Sequence, residues 1–402
     1  MKLDDSAASA HLTYCTNIHR GETWADTSAA LQRHLPEIKR LSSPNRPMGV
    51  GLRLSCIAAE SLAEPAELDR FRDFLRRNGL YVFTINGFPY GPFHGTRVKE
   101  DVYQPDWRFA ERLVYSNRLA DILGALLPNE PGLDGSVSTV PATFRPIGKQ
   151  AGAIEAIVEH LLQHAAHLAG IRARTGRTIT LALEPEPMCY LETIDEAASF
   201  FETRIFAPAA VRRFSEISHL NESVAEQTLR HHLGICYDVC HAAVEFEGAT
   251  QSLARLERAG LGLYKLQLSA ALKVPQVDSC TIDKLRRFDD GVYLHQVVER
   301  RSDGRLMRYL DLEPAFENVA EAQGHEWRIH CHVPIFLDAL PDLDTTQNFL
   351  REILDLHKKS PISRHLEVET YTFDVLPEEL RRADVATAVA RELAWVRGVL
   401  SA

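Results

Sequence analysis

Acidic and amide side chains stand at the ends of several short apolar runs in this chain. Glu184 follows Thr-Ile-Thr-Leu-Ala-Leu, Asp238 ends the next such run, and Gln267 lies near the end of a third. Carboxylate and amide oxygens are the ligands that hard divalent cations prefer, and the spacing Asp238-x-x-His241 can bring an imidazole to the same ion. Each acid taken alone would ordinarily be a helix cap or a solvated loop residue. Their recurrence on consecutive runs predicts a metal site.

The segment 365–371 is the least ordinary part of the sequence. It alternates strictly, so Glu367 and Glu369 point to the same side of an extended strand. Two carboxylates on a buried face are costly unless a cation or hydrogen-bond donors accompany them. This pair therefore strengthens the prediction of a bound cation.

Further candidates surround this set. His330-x-His332 are same-side residues in an extended segment, and paired imidazoles suit zinc, although a pair satisfied by ordinary hydrogen bonds is the alternative. An aromatic, proline-rich loop at 88–93 is either an apolar wall for a ring-bearing substrate or a rigid surface loop. The predicted substrate-binding residues, each with a structural role as its alternative, are Asn17, His19, Arg53, Asn86, Phe88 and Tyr90.

Composition restricts the class of protein. The chain has 402 residues, of which 45% are hydrophobic and 25% charged, which excludes a disordered or fibrous protein. Its net charge of -10 disfavours binding to nucleic acid or to anionic membranes. The N-terminus lacks the features of a signal peptide, no apolar stretch reaches about 18 residues, and the seven cysteines follow no framework spacing. We therefore expect a cytoplasmic protein with reduced thiols and no membrane insertion.

The elements that must position these residues alternate between strand and helix along the whole chain. The strand candidates are 12–15, 49–55, 80–85, 136–140, 178–183, 234–237, 263–268 and 365–370. Eight strands separated by amphipathic helices predict an α/β fold, a (β/α)8 TIM barrel, whose strand ends share one mouth. No linker divides the sequence, so we expect one barrel domain over residues 1–402.

One segment interrupts the alternation between the seventh and eighth strands. Within an insertion at 271–327, two β-rich runs flank Ser302-Asp303-Gly304, which is typical of a β-hairpin. At the C-terminal side of a barrel strand, this hairpin would be a lid or substrate wall. The equal alternative is a dimerisation arm, which would make the protein a homodimer.

The strand-end set resembles the metal site of the xylose isomerase-like superfamily. Its sugar epimerases and hydroxypyruvate isomerases bind one divalent metal through Glu, Asp, His or Gln, and Glu from strands five to eight. The resemblance implies one divalent ion (Zn, Mn, Mg or Co) held by Glu184, Asp238, Gln267 and Glu369, with the fourth ligand open between Gln267 and His330 or His332.

The same resemblance implies roles for individual residues. Relatives tend to follow the last Glu with a small polar and then an aromatic residue, which favours Glu369-Thr370-Tyr371 over Glu367. In the resembling epimerases the two Glu ligands exchange the substrate proton, so Glu184 and Glu369 are the expected acid/base pair. His241 matches the Asp-x-x-His histidine that lies beside metal or substrate, and is a third catalytic candidate.

Three short motifs resemble a narrower group. Segments 13–24, 84–91 and 330–334 look like the EboE group, whose gene clusters are linked to moving secondary-metabolite precursors. This resemblance implies a small metabolite and other Ebo-cluster proteins as partners.

The expected function is metal-assisted proton transfer on a small hydroxy-carbonyl metabolite, as in isomerases and epimerases, within an Ebo-type trafficking pathway. A non-catalytic protein that binds and transfers a metabolite is the first alternative. An endonuclease similar to the abasic-site (AP) nucleases of the superfamily is the second, and the acidic balance and Gln267 argue against it.

Overall fold

The computed structural model describes residues 1–4, 9–93, 99–374, 376–378 and 383–402, except for the side chain of residue 374. Eight strands form one parallel sheet in the order β1-β13-β7-β6-β5-β4-β3-β2. They are β1 (His11–Tyr14), β2 (Met48–Arg53), β3 (Leu80–Asn86), β4 (Gly135–Thr139), β5 (Ile179–Leu183), β6 (Leu233–Asp238), β7 (Leu263–Leu268) and β13 (His365–Val368).

The sheet closes on itself between β1 and β2. Cys15 and Gly51 form a parallel bridge, and the Thr13 hydroxyl both donates to the Gly49 carbonyl and accepts from the Gly51 amide, at 2.8 and 3.0 Å. The predicted (β/α)8 barrel is confirmed.

Helices lie between the strands along the chain, and most of them cover the outside of the barrel. They are α1 (Trp24–Ser42), α2 (Cys56–Leu62), α3 (Pro65–Arg77), α4 (Ala110–Leu126), α5 (Arg145–Gly148), α6 (Ala153–Thr175), α7 (Ile194–Phe200), α8 (Pro208–Ser218), α9 (Glu222–His232), α10 (Val239–Val244), α11 (Ala249–Ala259), α12 (Thr281–Arg286), α13 (Leu312–Phe316), α14 (Gln347–Lys359) and α15 (Val385–Ser401). Local sequence sets their ends: α6 stops at Gly176, whose φ of 71° suits glycine, and the Thr193 hydroxyl caps α7. None of the described helices has the length and apolar character needed to cross a membrane.

A second sheet stands between β7 and β13. It is antiparallel, has the order β10-β9-β11-β8-β12, and consists of β8 (Leu272–Val274), β9 (Val297–Arg300), β10 (Leu306–Tyr309), β11 (Glu326–Ile329) and β12 (Asp344–Thr345). The predicted hairpin is β9 and β10, with Gly304 at a φ of 83° in its turn. It forms the edge of a sheet that extends to residue 345, beyond the range in which the hairpin was expected.

Ion pairs fasten the hairpin to the barrel. Arg308 on β10 donates to Glu245 at 2.5 Å and lies 3.0 Å from Glu192, which also pairs with Arg145 at 2.9 Å. Glu192 and Glu245 are buried, so these pairs are shielded from solvent. The second sheet is therefore held over the loops that follow β5 and β6.

A buried ion pair fills the inside of the barrel below its mouth. Lys265 and Glu367 lie 2.6 Å apart, and both side chains are fully buried. Gly51 makes room for this pair, because a β-carbon at position 51 would lie 1.8 Å from Glu367 Oε2. Glu367 and Glu369 do point the same way, but into different layers, so that Glu369 alone reaches the mouth.

Candidate metal centre and active site

Three carboxylates meet at the C-terminal mouth of the barrel. Glu184 directly follows β5, Asp238 is the last residue of β6, and Glu369 directly follows β13. Ligand oxygens of the three lie within 4.8 Å of one another, and all three residues are buried. Adjacent parallel strands bring their carboxyl ends to one place, which is why residues so distant in sequence converge.

Unpartnered acceptor atoms mark this cluster. Glu184 Oε2, Asp238 Oδ2 and His332 Nε2 are buried without a hydrogen-bond partner among the described residues. A second group, formed by Asp238, His241 and His332, has ligand atoms within 4.8 Å of one another. Buried acceptors that face each other with no donor between them are costly unless a cation joins them. The donor set of carboxylate oxygens and imidazole nitrogens therefore fits a divalent metal ion.

Glu369 is held by three amide groups. Asn17 and Asn86 donate to its Oε1 at 2.8 and 2.9 Å, and Gln267 donates to its Oε2 at 2.7 Å. The Gln267 oxygen in turn accepts from the Cys236 thiol at 2.8 Å. Both ends of the Gln267 amide are thus engaged within the protein, and this residue orients Glu369.

Three histidines present the same nitrogen to the cluster. The Nδ1 atoms of His241, His330 and His332 lie 2.8 to 2.9 Å from the Pro185 carbonyl, the Gln296 side-chain oxygen and the Glu369 carbonyl. The Nδ1 atoms of His241 and His332 therefore donate to backbone carbonyls, which leaves their Nε2 atoms with a lone pair. His241 Nε2 and His330 Nε2 face each other at 3.1 Å. An outer hydrogen bond of this kind orients metal-ligating histidines in many proteins.

The protonation tendencies agree with a cation-dependent site. Burial and then the nearby carboxylates raise the pKa of Glu184 and of Glu369 well above the usual value. Burial also opposes ionisation of Asp238, but its interactions with the two imidazoles beside it and hydrogen bonds from the Ser269 hydroxyl and the His241 amide outweigh it and lower the pKa. Burial lowers the pKa of His241 to about 4 and that of His330 well below its usual value. At neutral pH these two imidazoles are thus neutral and able to ligate.

A pocket lies over the cluster. Of the residues predicted from sequence, the pocket is lined by Asn17, Asn86, Phe88, Glu184, His241, His330, His332 and Glu369. Asp238 belongs to the cluster beneath it. The structure thus brings together residues from both ends of the chain and from the insertion.

The other predicted substrate-binding residues point elsewhere. Arg53 donates to the carbonyls of Gly21 and Gly91, and Tyr90 packs against Tyr115 at a centroid distance of 5.1 Å. His19 contacts the Tyr14 hydroxyl at 2.8 Å and lines a separate groove. None of the three is among the described residues that line the pocket over the cluster.

Several lining residues had no role in the sequence-based prediction. Glu186 accepts from the Tyr103 hydroxyl at 2.8 Å, and burial raises its pKa to about 8. Its position two residues after Glu184 was a usable signal. Tyr293, by contrast, reaches the pocket from the second sheet's segment, and nothing in its local sequence indicates this.

Comparison with known proteins supports the fold. A xylose isomerase-like TIM barrel protein from Mycobacterium smegmatis, solved in complex with magnesium, has 12% sequence identity and a TM-score of 0.51, with 99% of each chain covered. A xylose isomerase domain protein from Planctomyces limnophilus has 14% sequence identity and a TM-score of 0.49, with 91% of this chain and 92% of that chain covered. An L-ribulose 3-epimerase has 10% identity and a TM-score of 0.47, with 98% of this chain and 94% of that chain covered. No family model matches the sequence, and no curated protein matches it. The chain has the fold of the xylose isomerase-like barrels.

Proposed function

We propose that this protein is a divalent-metal-dependent enzyme of the isomerase or epimerase type, which moves a proton next to the carbonyl of a small hydroxy-carbonyl metabolite. One observation carries the proposal. Glu184, Asp238 and Glu369 converge in a buried cluster with unpartnered acceptor atoms, directly beneath a pocket.

The ligands that would hold the ion are Glu184, Asp238, Glu369 and His332. We favour His332 over Gln267 as the fourth because its Nε2 is unpartnered, whereas both ends of the Gln267 amide are engaged. A bound divalent ion would polarise a substrate carbonyl and its neighbouring hydroxyl, which makes the adjacent proton easier to remove. Zn, Mn, Mg and Co all remain candidates for a mixed oxygen and nitrogen site.

The two glutamates, Glu184 and Glu369, are proposed as the acid/base pair, and they differ in the hydrogen bonds that they accept. Glu184 Oε2 accepts no hydrogen bond from the described residues, so it is free to receive a proton. Glu369 accepts three amide hydrogen bonds, which fix its orientation. Glu184 is therefore the stronger candidate for the first proton abstraction, as the carboxylate, and Glu369 would enter the cycle as the carboxylic acid that returns a proton. The pair then carries one proton before and after turnover.

His241 is proposed as a positioning residue between metal and substrate. Its Nε2 lies 4.0 Å from Asp238 Oδ1 and 3.1 Å from His330 Nε2, and its ring lines the pocket. A substrate hydroxyl at this point could donate to the unprotonated Nε2.

A role in Ebo-type metabolite traffic is part of the same proposal and rests on the three sequence motifs. Segments 13–24, 84–91 and 330–334 contribute Asn17, Asn86, His330 and His332 to the pocket. The motifs that carry the resemblance are thus the segments that would meet the metabolite.

The test combines metal content with hydrogen–deuterium exchange at carbon, which requires no knowledge of the product. Purified wild type, Glu184→Gln and the control Glu247→Gln are analysed for bound metal, then incubated with hydroxypyruvate, ketoses and aromatic hydroxy-ketones in D2O and followed by proton NMR. Glu247 is a half-buried glutamate that accepts from the Ile194 amide, outside the cluster.

We expect wild type and Glu247→Gln to bind metal and to exchange a carbon-bound proton for deuterium, and Glu184→Gln to lose exchange and bind metal more weakly. Retention of both properties in Glu184→Gln would contradict the proposal. Metabolite binding by the metal-loaded protein without any exchange would favour the non-catalytic binding and transfer role instead.

A further inference from the structure

Three aromatic rings from distant parts of the chain form a cluster in the lining of the pocket. Phe93 lies 5.2 Å from Tyr293 and 5.3 Å from Tyr371, and the two tyrosine rings are 5.2 Å apart, all between ring centroids. We call these three residues the aromatic wall. The Tyr371 ring also contacts the ring of His332 at a centroid distance of 4.7 Å. The aromatic wall is therefore in direct contact with a proposed metal ligand.

The wall has little capacity to bind hydroxyl groups. The Tyr293 hydroxyl donates to the Phe93 carbonyl at 2.9 Å, and the neighbouring Tyr103 hydroxyl donates to Glu186 at 2.8 Å. The Tyr371 hydroxyl is the one hydroxyl of the aromatic wall that makes no hydrogen bond to another described residue. The wall therefore presents mainly ring carbon to the pocket.

Charges near the wall are also neutralised within the protein. Lys99 lines the pocket, but its ammonium group pairs with Asp311 at 2.5 Å. Arg53 lies under the Phe93 ring at 5.8 Å, with two of its nitrogens bound to backbone carbonyls. Lys99 therefore offers no unpaired charge to a substrate, and Arg53, whose Nε has no partner among the described residues, does not line the pocket.

The pocket lining thus combines the polar ligand cluster with an apolar, mainly aromatic surface. Phe88, Val102 and Leu294 extend the apolar surface beside the wall. A polyol chain placed here would leave its outer hydroxyls without hydrogen-bond partners, which is unfavourable. A flat apolar group would instead bury its faces against aromatic rings.

We infer that the substrate carries an uncharged aromatic or similarly flat apolar group attached to its hydroxy-carbonyl end, and that it is not a simple sugar. This inference rests on the proposed function, because the polar end is placed by the proposed metal. Proton transfer at that end needs no co-reactant: a C–H bond breaks and re-forms within one molecule, with no net oxidation or reduction.

Matched hydroxamates test this inference, because they carry one metal-chelating end and differ in the tail. Phenylacetohydroxamate, acetohydroxamate and xylonohydroxamate are titrated into the metal-loaded protein by calorimetry. We expect phenylacetohydroxamate to bind about tenfold more tightly than acetohydroxamate, or better, through burial of the ring, and xylonohydroxamate to show no gain.

Two variants at one wall position separate ring from hydroxyl. Tyr293→Ala should reduce the preference for the phenyl probe severalfold, whereas Tyr293→Phe should keep it, since the ring face remains. Equal affinity for the phenyl and methyl probes, or a preference for xylonohydroxamate, would overturn this inference while leaving the metal site intact. If the metal-loaded protein binds none of the three, the proposed function fails together with it.

Discussion

Metal affinity should depend steeply on pH, and the slope should identify which carboxylate carries a proton before the metal binds. Burial and neighbouring carboxylates raise the pKa of Glu184 and Glu369 well above the usual value, while the pKa of Asp238 is lowered. Without a cation, the two glutamates therefore bind protons more readily than a free glutamate does, and Asp238 less readily than a free aspartate. A divalent ion must displace those protons to bind.

The magnitude follows from the number of protons displaced. Each proton released makes the apparent association constant rise tenfold per pH unit, which is about 1.4 kcal/mol of binding free energy. Wherever both glutamates carry protons before the metal binds, wild type should gain up to about a hundredfold in affinity per pH unit. Glu184→Gln should lose about one factor of ten from that slope, because one displaceable proton is gone.

Asp238→Asn is the matched control for this experiment. This variant also removes a ligand and should weaken metal binding. It removes no displaceable proton, however, because the lowered pKa of Asp238 keeps that residue ionised. The pKa of Glu184 also stays raised in this variant, because burial is its larger cause. Its slope should therefore stay closer to that of wild type. The assay is competition with a fluorescent chelator at several pH values. A wild-type affinity that does not change with pH, or equal slopes in wild type and Glu184→Gln, would refute the reasoning.

Three further predictions concern the parts of the barrel that support the site. Lys265→Met should destabilise the fold by about 3–5 kcal/mol because it leaves the Glu367 charge buried and unpaired. Adding Glu367→Gln should restore much of the lost stability. Chemical denaturation of both variants measures this, and equal stability of the single and double variants would contradict it. Gly51→Ala should cost about 1–3 kcal/mol through overpacking against Glu367. Gly91→Ala, where a β-carbon would meet no described atom within 4 Å, should be nearly neutral in thermal melts. Asn86→Ala removes one of the three amide donors to Glu369 and should weaken metal binding about tenfold or more; calorimetric titration would show an unchanged affinity if the amide has no orienting role.

Much of the barrel was predictable because its signals are local. Alternating apolar runs, helix caps and glycines at helix ends depend on neighbouring residues, so they gave eight strands in the right order. The acids at strand ends were predictable for the same reason, since the parallel topology alone brings Glu184, Asp238 and Glu369 to one mouth.

The remaining features depend on contacts between distant segments. The hairpin was visible from its turn, but its place at the edge of a five-stranded sheet depends on β8, β11 and β12, which are short and pair at long range. Arg53 looked available for a substrate because its sequence does not reveal that the Gly21 and Gly91 carbonyls engage it. Of the aromatic wall, the sequence predicts only Phe93, which belongs to the aromatic 88–93 loop. Tyr293 and Tyr371 reach the same place from distant segments.

Anomalous diffraction from crystals grown with Mn²⁺ tests the central claim most directly. We expect one strong anomalous peak at the barrel mouth, within bonding distance of His332 Nε2 and of carboxylate oxygens of Glu184, Asp238 and Glu369. We expect this peak to be lost in crystals of Glu369→Ala. No peak among these residues at saturating Mn²⁺, or a peak bound by other groups with the three carboxylates left unligated, would contradict it.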